Sequence, residues 1–335
     1  MFNDVIFIKT GISDLPTPFE KMKADSKSGA LEKRIRNLML DEQKKTDKGR
    51  IDLFIQKSLR SVGRHQSAKR LEECSRGKYC GNIYCKTCRD RMATKMLGRY
   101  QSHIKKQKMD ETACKDRLRF ITILHQLIPA DKHQVAEAQK YVRQEYRNFS
   151  TKWGCWYQGA FEYELIDMMK VSNFVADVGS QSRKKEVLLR LGGYTPNLFD
   201  AHDWSWTDDV GRKRTDYILL HTHFLMDGGN NDWDDIAANL RRRWSGDYII
   251  DVSTLWDFSK RALDDSLWKM ASYPFKNRCR YHYNFGNYYE WEKDDDDFDD
   301  VNAFTANELL TIFDIYKHMM GSNNTGHLLS AKNTP

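Results

Sequence analysis

Two histidines stand in an otherwise apolar run, YILLHTHFLMD at 217–227. On an extended chain residues i and i+2 point the same way, so His221 and His223 project together. Two neutral imidazoles placed like this can reach one divalent ion. A carboxylate from a neighbouring strand would complete a set that leaves coordination positions open. GAFEYEL (159–165) offers Glu162 and Glu164, which also share a side. Two histidines and one carboxylate with open positions suit Mn2+ or Mg2+ acting on a phosphate oxygen. The alternative is a pair of ordinary strand histidines, hydrogen-bonded or half exposed.

A second group lies in SYPFK (272–276), where Tyr273 and Lys276 can present a phenol and an ammonium to one site. A phenol with a pKa near 10 is a poor nucleophile unless a metal and a cation stabilise the developing charge. Tyrosine attack on a phosphodiester conserves the bond as a phosphotyrosine. Tyr281 and Tyr283 are rival nucleophiles, and a packed helix-end tyrosine is the alternative reading of Tyr273.

A third group is CSRGKYCGNIYCKTC, which sets Cys74, Cys80, Cys85 and Cys88 at spacings of five, four and two intervening residues. The closing Cys-x-x-Cys and the first pair make a tetrahedral thiolate set for a structural Zn2+. His65 or His103 could replace one thiolate. Arg76, Lys78, Lys86, Arg89 and Arg91 would lower the thiol pKa values and face an anionic partner, with nucleic-acid contact as the expected use.

The elements that must position these groups follow from hydrophobic period. IDLFIQKSLRSVGRHQSAKRLEEC reads as one helix into the cysteines, and RDRMATKMLGRYQSHIKKQK as another after them. Short β-branched or alternating stretches at 117–127, 156–167, 216–227 and YIIDVSTLW read as strands. Helices are expected at 31–40, 130–153, 231–246 and 259–277, the last broken at Pro274. FTANELLTIFDIYKHMMG (304–321) reads as a core-packing or dimer helix, and 321–335 as a flexible end. The expectation is an α+β fold with an antiparallel sheet covered by helices. It divides into a basic helical segment with the zinc site (1–115), a sheet domain (116–290, with an insertion at about 168–216) and an acidic loop with a C-terminal helix (291–335).

Charge is unevenly spread. The 335 residues carry a formal net charge of +7. Residues 20–118 hold about two bases per acid, whereas 290–300 (EWEKDDDDFDD) reads as a solvated acidic loop. The mean hydropathy of −0.73, the lack of an apolar run of about 18 residues and an N-terminus without a leader pattern predict a cytoplasmic protein with no membrane partner. Seven cysteines, four of them crowded together, favour metal binding over disulfides.

Taken in order, these segments resemble a known family, the single-tyrosine HUH endonucleases, specifically the rolling-circle plasmid replication initiators. RFITIL (119–124) resembles the family's first strand motif, GAFEYE its acidic strand, LLHTHFLM its paired-histidine motif and SYPFK its nucleophile motif. The cysteine segment resembles one found in several of these initiators. Leu124 stands where the first motif often has Thr, and Thr222 where a bulky apolar residue is common. The resemblance implies a mostly antiparallel sheet of ferredoxin or RRM-like type. It also implies His221, His223 and Glu162 (or Glu164) as metal ligands, Tyr273 as nucleophile and Lys276 as the group that positions the phosphate. The implied reaction nicks one strand of single-stranded or hairpin origin DNA, leaving a 5′-phosphotyrosine and a free 3′-hydroxyl. A host helicase and polymerase are the implied partners. A single-tyrosine HUH transposase shares these residues, and a non-enzymatic zinc-containing DNA-binding regulator is the third reading.

Overall fold

A computed structural model describes residues 48–75, 78–82, 85–169, 187–188, 191, 204–245, 249–255, 263–275, 306–320 and 328–330. They fall within one compact unit, Thr46–Pro335. The helix expected at 31–40, the acidic run at 290–300, most of the 168–216 excursion, Arg76, Lys276, Tyr281 and Tyr283 lie outside the described residues.

The single helix expected ahead of the cysteines is two, α1 (Lys48–Ser61) and α2 (His65–Glu72). Gly63 takes a left-handed φ of 77°, and the Arg64 amide donates back to the Leu59 carbonyl at 2.8 Å. Glycine meets no Cβ penalty there, so the chain stops and restarts. Beyond the cysteines come α3 (Lys86–Lys106) and α4 (Glu111–Arg117), the latter started by Asp110, whose carboxylate accepts from the Ala113 amide. Next are β1 (Leu118–Pro129), α5 (Lys132–Trp153) and β2 (Trp156–Asp167). Asp131 caps the start of α5, and Gly154 at φ 62° ends it.

A small hairpin, β3 (Trp206–Thr207) and β4 (Lys213–Arg214), precedes β5 (Asp216–Asp227). Then follow α6 (Trp233–Arg243), β6 (Ile250–Thr254), α7 (Leu263–Ser272) and a tight 3-10 turn, Tyr273–Phe275. In α6 Asp234 and Asp235 open the first turn and Arg241, Arg242 and Arg243 close the last, complementing the helix dipole. The last described elements are α8 (Ala306–Met320) and β7 (Leu328–Ser330).

The main sheet runs β6-β1-β5-β2-β7 and every neighbouring pair is antiparallel. Helix α5 lies on one face, where Tyr146 packs its ring on Phe224 and Tyr157. Helix α3 lies on the other, packed against α7 and reaching β2 and the 273–275 turn. Because both faces are covered, every residue of β5 is buried, as its nearly unbroken apolar sequence requires.

Helix α8 is a core element: Leu309, Ile312, Phe313 and Tyr316 are buried. The Tyr316 hydroxyl accepts from the Tyr163 amide at 3.2 Å, serving an edge donor of β2 that β7 does not reach. The tail expected to be flexible contributes β7, whose Leu328–Ser330 pair with Ala160–Gln158. No helix among the described residues is long and apolar enough to cross a membrane.

Candidate metal centre and the adjoining tyrosine

Strand register decides which groups meet. In the β2–β5 pairing Glu162 stands opposite His221, Ala160 opposite His223 and Glu164 opposite Leu219. Glu162 therefore belongs with the histidines, and Glu164 sits one pleat further along. Ala160 carries only a methyl, which leaves room for Glu162 to reach diagonally. One Glu162 carboxylate oxygen (Oε2) lies 2.9 Å from His223 Nε2 and 3.9 Å from His221 Nε2. Ligand atoms of all three residues fall within 4.8 Å of one another, so they could hold one metal ion.

Two neighbours fix this geometry. Gly159 lies where an added Cβ would come within 2.1 Å of the His223 carbonyl oxygen, so only glycine lets β2 approach β5 this closely. On the other side β1 places Thr122 opposite His223, and Thr122 Oγ1 is 2.9 Å from His223 Nδ1. If Nδ1–H donates to that hydroxyl, the Nε2 lone pair faces the ligand cluster, the tautomer a metal requires. Thr122→Val keeps the shape and removes the acceptor. We expect Mn2+ affinity at this site, read by calorimetric titration, to fall about 10- to 100-fold, with Thr122→Ser restoring it.

Tyr273 sits on the same face. Its ring meets His223 edge-on at 4.6 Å between centroids and Phe120 at 5.9 Å. Helix α7 brings it there, and the following Pro274 and Phe275 are buried as an anchor. The 3-10 turn contacts β2, β5 and α3.

Beneath the histidines, on the α5 side, is a polar group that the sequence reading missed. A bulge in β1 between Leu124 and Gln126 releases His125 from pairing with β5. His125 Nε2 lies 3.0 Å from Thr222 Oγ1, and the Tyr146 hydroxyl lies 2.6 Å from Thr222 Oγ1 and 3.2 Å from His125. Thr222, between the two histidines, is thus a fully buried partner in this group. The only cue in the sequence was another imidazole inside an apolar strand.

Burial, aided by the nearby His221, pushes His125 down to about 3 from an ordinary 6.5. Because the unfolded chain then takes up the proton first, stability is lost as pH falls from 6.5 towards 3. The wild type should lose about 1.4 kcal/mol per pH unit across that window relative to His125→Gln, measured by urea unfolding at several pH values.

The four cysteines also converge. Cys88 Sγ lies 3.6 Å from Cys74 Sγ and 3.5 Å from Cys80 Sγ, and the Gly81 amide donates to Cys88 Sγ at 3.2 Å. All four sulfurs lie within 4.8 Å of one another, so they could hold a metal ion. Thiol bonds from Cys80 and Cys88 pull Cys85 well below the ordinary thiol range, while the bond to Cys85 pushes Cys80 upward.

His103, offered by the sequence as a substitute ligand, is engaged elsewhere. It bonds Asp227 at 2.8 Å and stacks on Trp156 at 3.8 Å. Burial opposes the Asp227 charge, but bonds from His103, the Gly229 amide and Arg117 hold its carboxyl below the ordinary range. This network pins the C-terminal end of α3 to the end of β5. Of the basic residues expected to face an anion, Lys78 and Arg91 are exposed and Arg89 is partly so. Lys86 is not available: it is buried and paired with Asp90, one turn along α3, at 3.2 Å.

The chain matches no protein-family model, no curated protein and no solved structure, so the chemistry of this face is read from its own residues.

Proposed function

We propose that this protein is a metal-dependent DNA-nicking and strand-transfer enzyme of the single-tyrosine HUH type, acting as a rolling-circle replication initiator. The observation that carries the reading is the meeting of Glu162, His221 and His223 with the Tyr273 ring on one sheet face. The arrangement β1-α5-β2, β5-α6-β6 with sheet order β6-β1-β5-β2 is that of a ferredoxin-like split β-α-β unit, the fold type the resemblance implies.

Bound at the two imidazoles and the carboxylate, Mn2+ or Mg2+ would neutralise charge on the scissile phosphate. The chain's own groups do the rest. Thr122 holds the His223 ring, and the turn anchored by Pro274 and Phe275 holds Tyr273 against it. The Tyr273 oxygen bonds to phosphorus and the bond to the preceding 3′ oxygen breaks. The phenolic proton ends on that 3′ hydroxyl. Attack by a 3′ hydroxyl on the phosphotyrosine reverses the step and rejoins a strand. Lys276 would support the phosphate, and the four cysteines would hold a structural Zn2+.

The test uses single-stranded oligonucleotides tiled across the DNA that carries the protein's own gene, incubated with Mn2+. A covalent protein–DNA adduct on a denaturing gel, abolished by EDTA, is the expected result. DNA binding with no adduct on any oligonucleotide would favour the non-enzymatic regulator instead.

A further inference from the structure

Between Asp90 and Asp110 the chain contains no acid and six lysines and arginines. Nearly all of this stretch is α3. At 100° per residue, Arg91, Lys95, Arg99, Lys105 and Lys106 occupy one arc of about 120° that also contains Gly98 and, at its centre, Ser102. All seven are exposed, while Met92, Met96, Leu97, Tyr100 and His103 on the opposite side are buried. The stripe is about 22 Å long at 1.5 Å per residue.

Helix capping accounts for part of this charge. Lys105 and Lys106 lie in the last turn, where cations complement the dipole. It does not account for Arg91, Lys95 and Arg99, earlier in the helix. Nor are these cations balanced nearby: among the described residues no ion pair involves Arg91, Lys95, Arg99, Lys105 or Lys106. Arg91 instead lies over the Tyr79 ring at 3.8 Å. Gly98 weakens a helix relative to alanine, yet its Cβ position faces open space. With Ser102 it forms a low floor between cations. Both ends are tied: Cys85, one of the four clustered cysteines, stands at the residue before the first turn, and His103 bonds Asp227.

We propose that this face of α3 is a docking surface for the phosphate backbone of duplex DNA, a stem flanking the strand that reaches Tyr273. The inference rests on the DNA reading above and extends it to a surface of this chain. A rigid cationic rod with a low centre fits the backbone of a helical duplex, about six base pairs long at 3.4 Å per pair. A single strand is the less suitable occupant, because none of the seven stripe residues is an aromatic on which unpaired bases could stack.

The test compares the full-length wild type with the quadruple variant Lys95→Gln, Arg99→Gln, Lys105→Gln, Lys106→Gln. Fluorescence anisotropy is read on a mixed-sequence 20-base-pair duplex and on a 20-nucleotide single strand between 50 and 300 mM salt. A control variant removes equal charge from α5 on the opposite sheet face (Lys132, Lys140, Arg147 and Lys152, each to Gln). We expect the stripe variant to bind duplex about 100-fold or more weakly near 0.1 M salt, with its log–log salt slope shallower by about 3. Single-strand affinity should change far less, and the control should stay within about threefold of wild type.

Unchanged duplex affinity in the stripe variant, an equal loss on the single strand, an equal loss in the control, or no duplex binding by wild type would each overturn the proposal. The adduct assay separates this from the catalytic reading. If both proteins form the adduct and bind duplex equally, the stripe alone is wrong. Absence of adduct from wild type, with duplex binding lost only in the stripe variant, supports the stripe and removes the nicking reaction.

Discussion

Replacing Tyr273 with phenylalanine is expected to abolish covalent capture of DNA while leaving Mn2+ binding and the fold in place. The ring and its oxygen have separate roles. The ring packs edge-on against His223 and Phe120, and phenylalanine repeats those contacts. Only the hydroxyl, the atom that would join phosphorus, is lost. Removing the nucleophile of an enzyme that works through a covalent intermediate costs on the order of 10^6 in rate, so adduct formation should fall at least about 10^4-fold. Adduct yield on a denaturing gel and Mn2+ titration together check it. Undiminished adduct would move the nucleophile to Tyr281 or Tyr283, which lie outside the described residues.

The second large effect concerns the cysteines. Stripping metal with a strong chelator, or substituting Cys88→Ser, should lower the melting temperature and open residues 74–88 to proteolysis. Four sulfurs lie within 4.8 Å of one another and Cys74, Cys80, Cys85 and Cys88 form no disulfide. Among the described residues the segment is also held by the Ser75–Lys78 bridge, by backbone bonds such as Cys85 amide to Asn82 carbonyl at 3.1 Å, and by amide bonds to sulfur. Apparent binding free energies of about 10–16 kcal/mol for structural zinc in finger peptides show how much such a segment can depend on its ion. We expect one zinc per chain by elemental analysis and a substoichiometric amount in the variant. Zinc should also be released as pH falls, because binding requires thiolates and protonation competes with it. The same change should loosen the N-terminal end of α3 and so weaken duplex binding by the stripe.

Some of this was legible before any fold was known. Alternation gave β2 its observed bounds, 156–167, a short, almost continuously apolar run gave β5 its bounds, 216–227, and the two-residue period of a strand put His221 beside His223. Local cysteine spacing marked the four-thiol cluster. These features depend on residues close in sequence, where backbone period and turn chemistry decide.

The rest depended on contacts between distant segments. The choice of Glu162 over Glu164 is a matter of register between strands separated by the 168–216 excursion, and a slip of two residues would have reversed it. The tie of His103 to Asp227 and the partnership of Thr122 with His223 are likewise long-range. The bulge that frees His125 has no local signature, since a strand with one extra residue reads the same as one without. Leu328–Ser330 is too short to announce a strand and becomes one only because the edge of β2 is there to pair with. The sequence by itself determined which residues could do chemistry and which neighbours along the chain share a face. Tertiary structure decided which of them meet, because pairing register and helix docking are set by burial of whole faces rather than by any single residue.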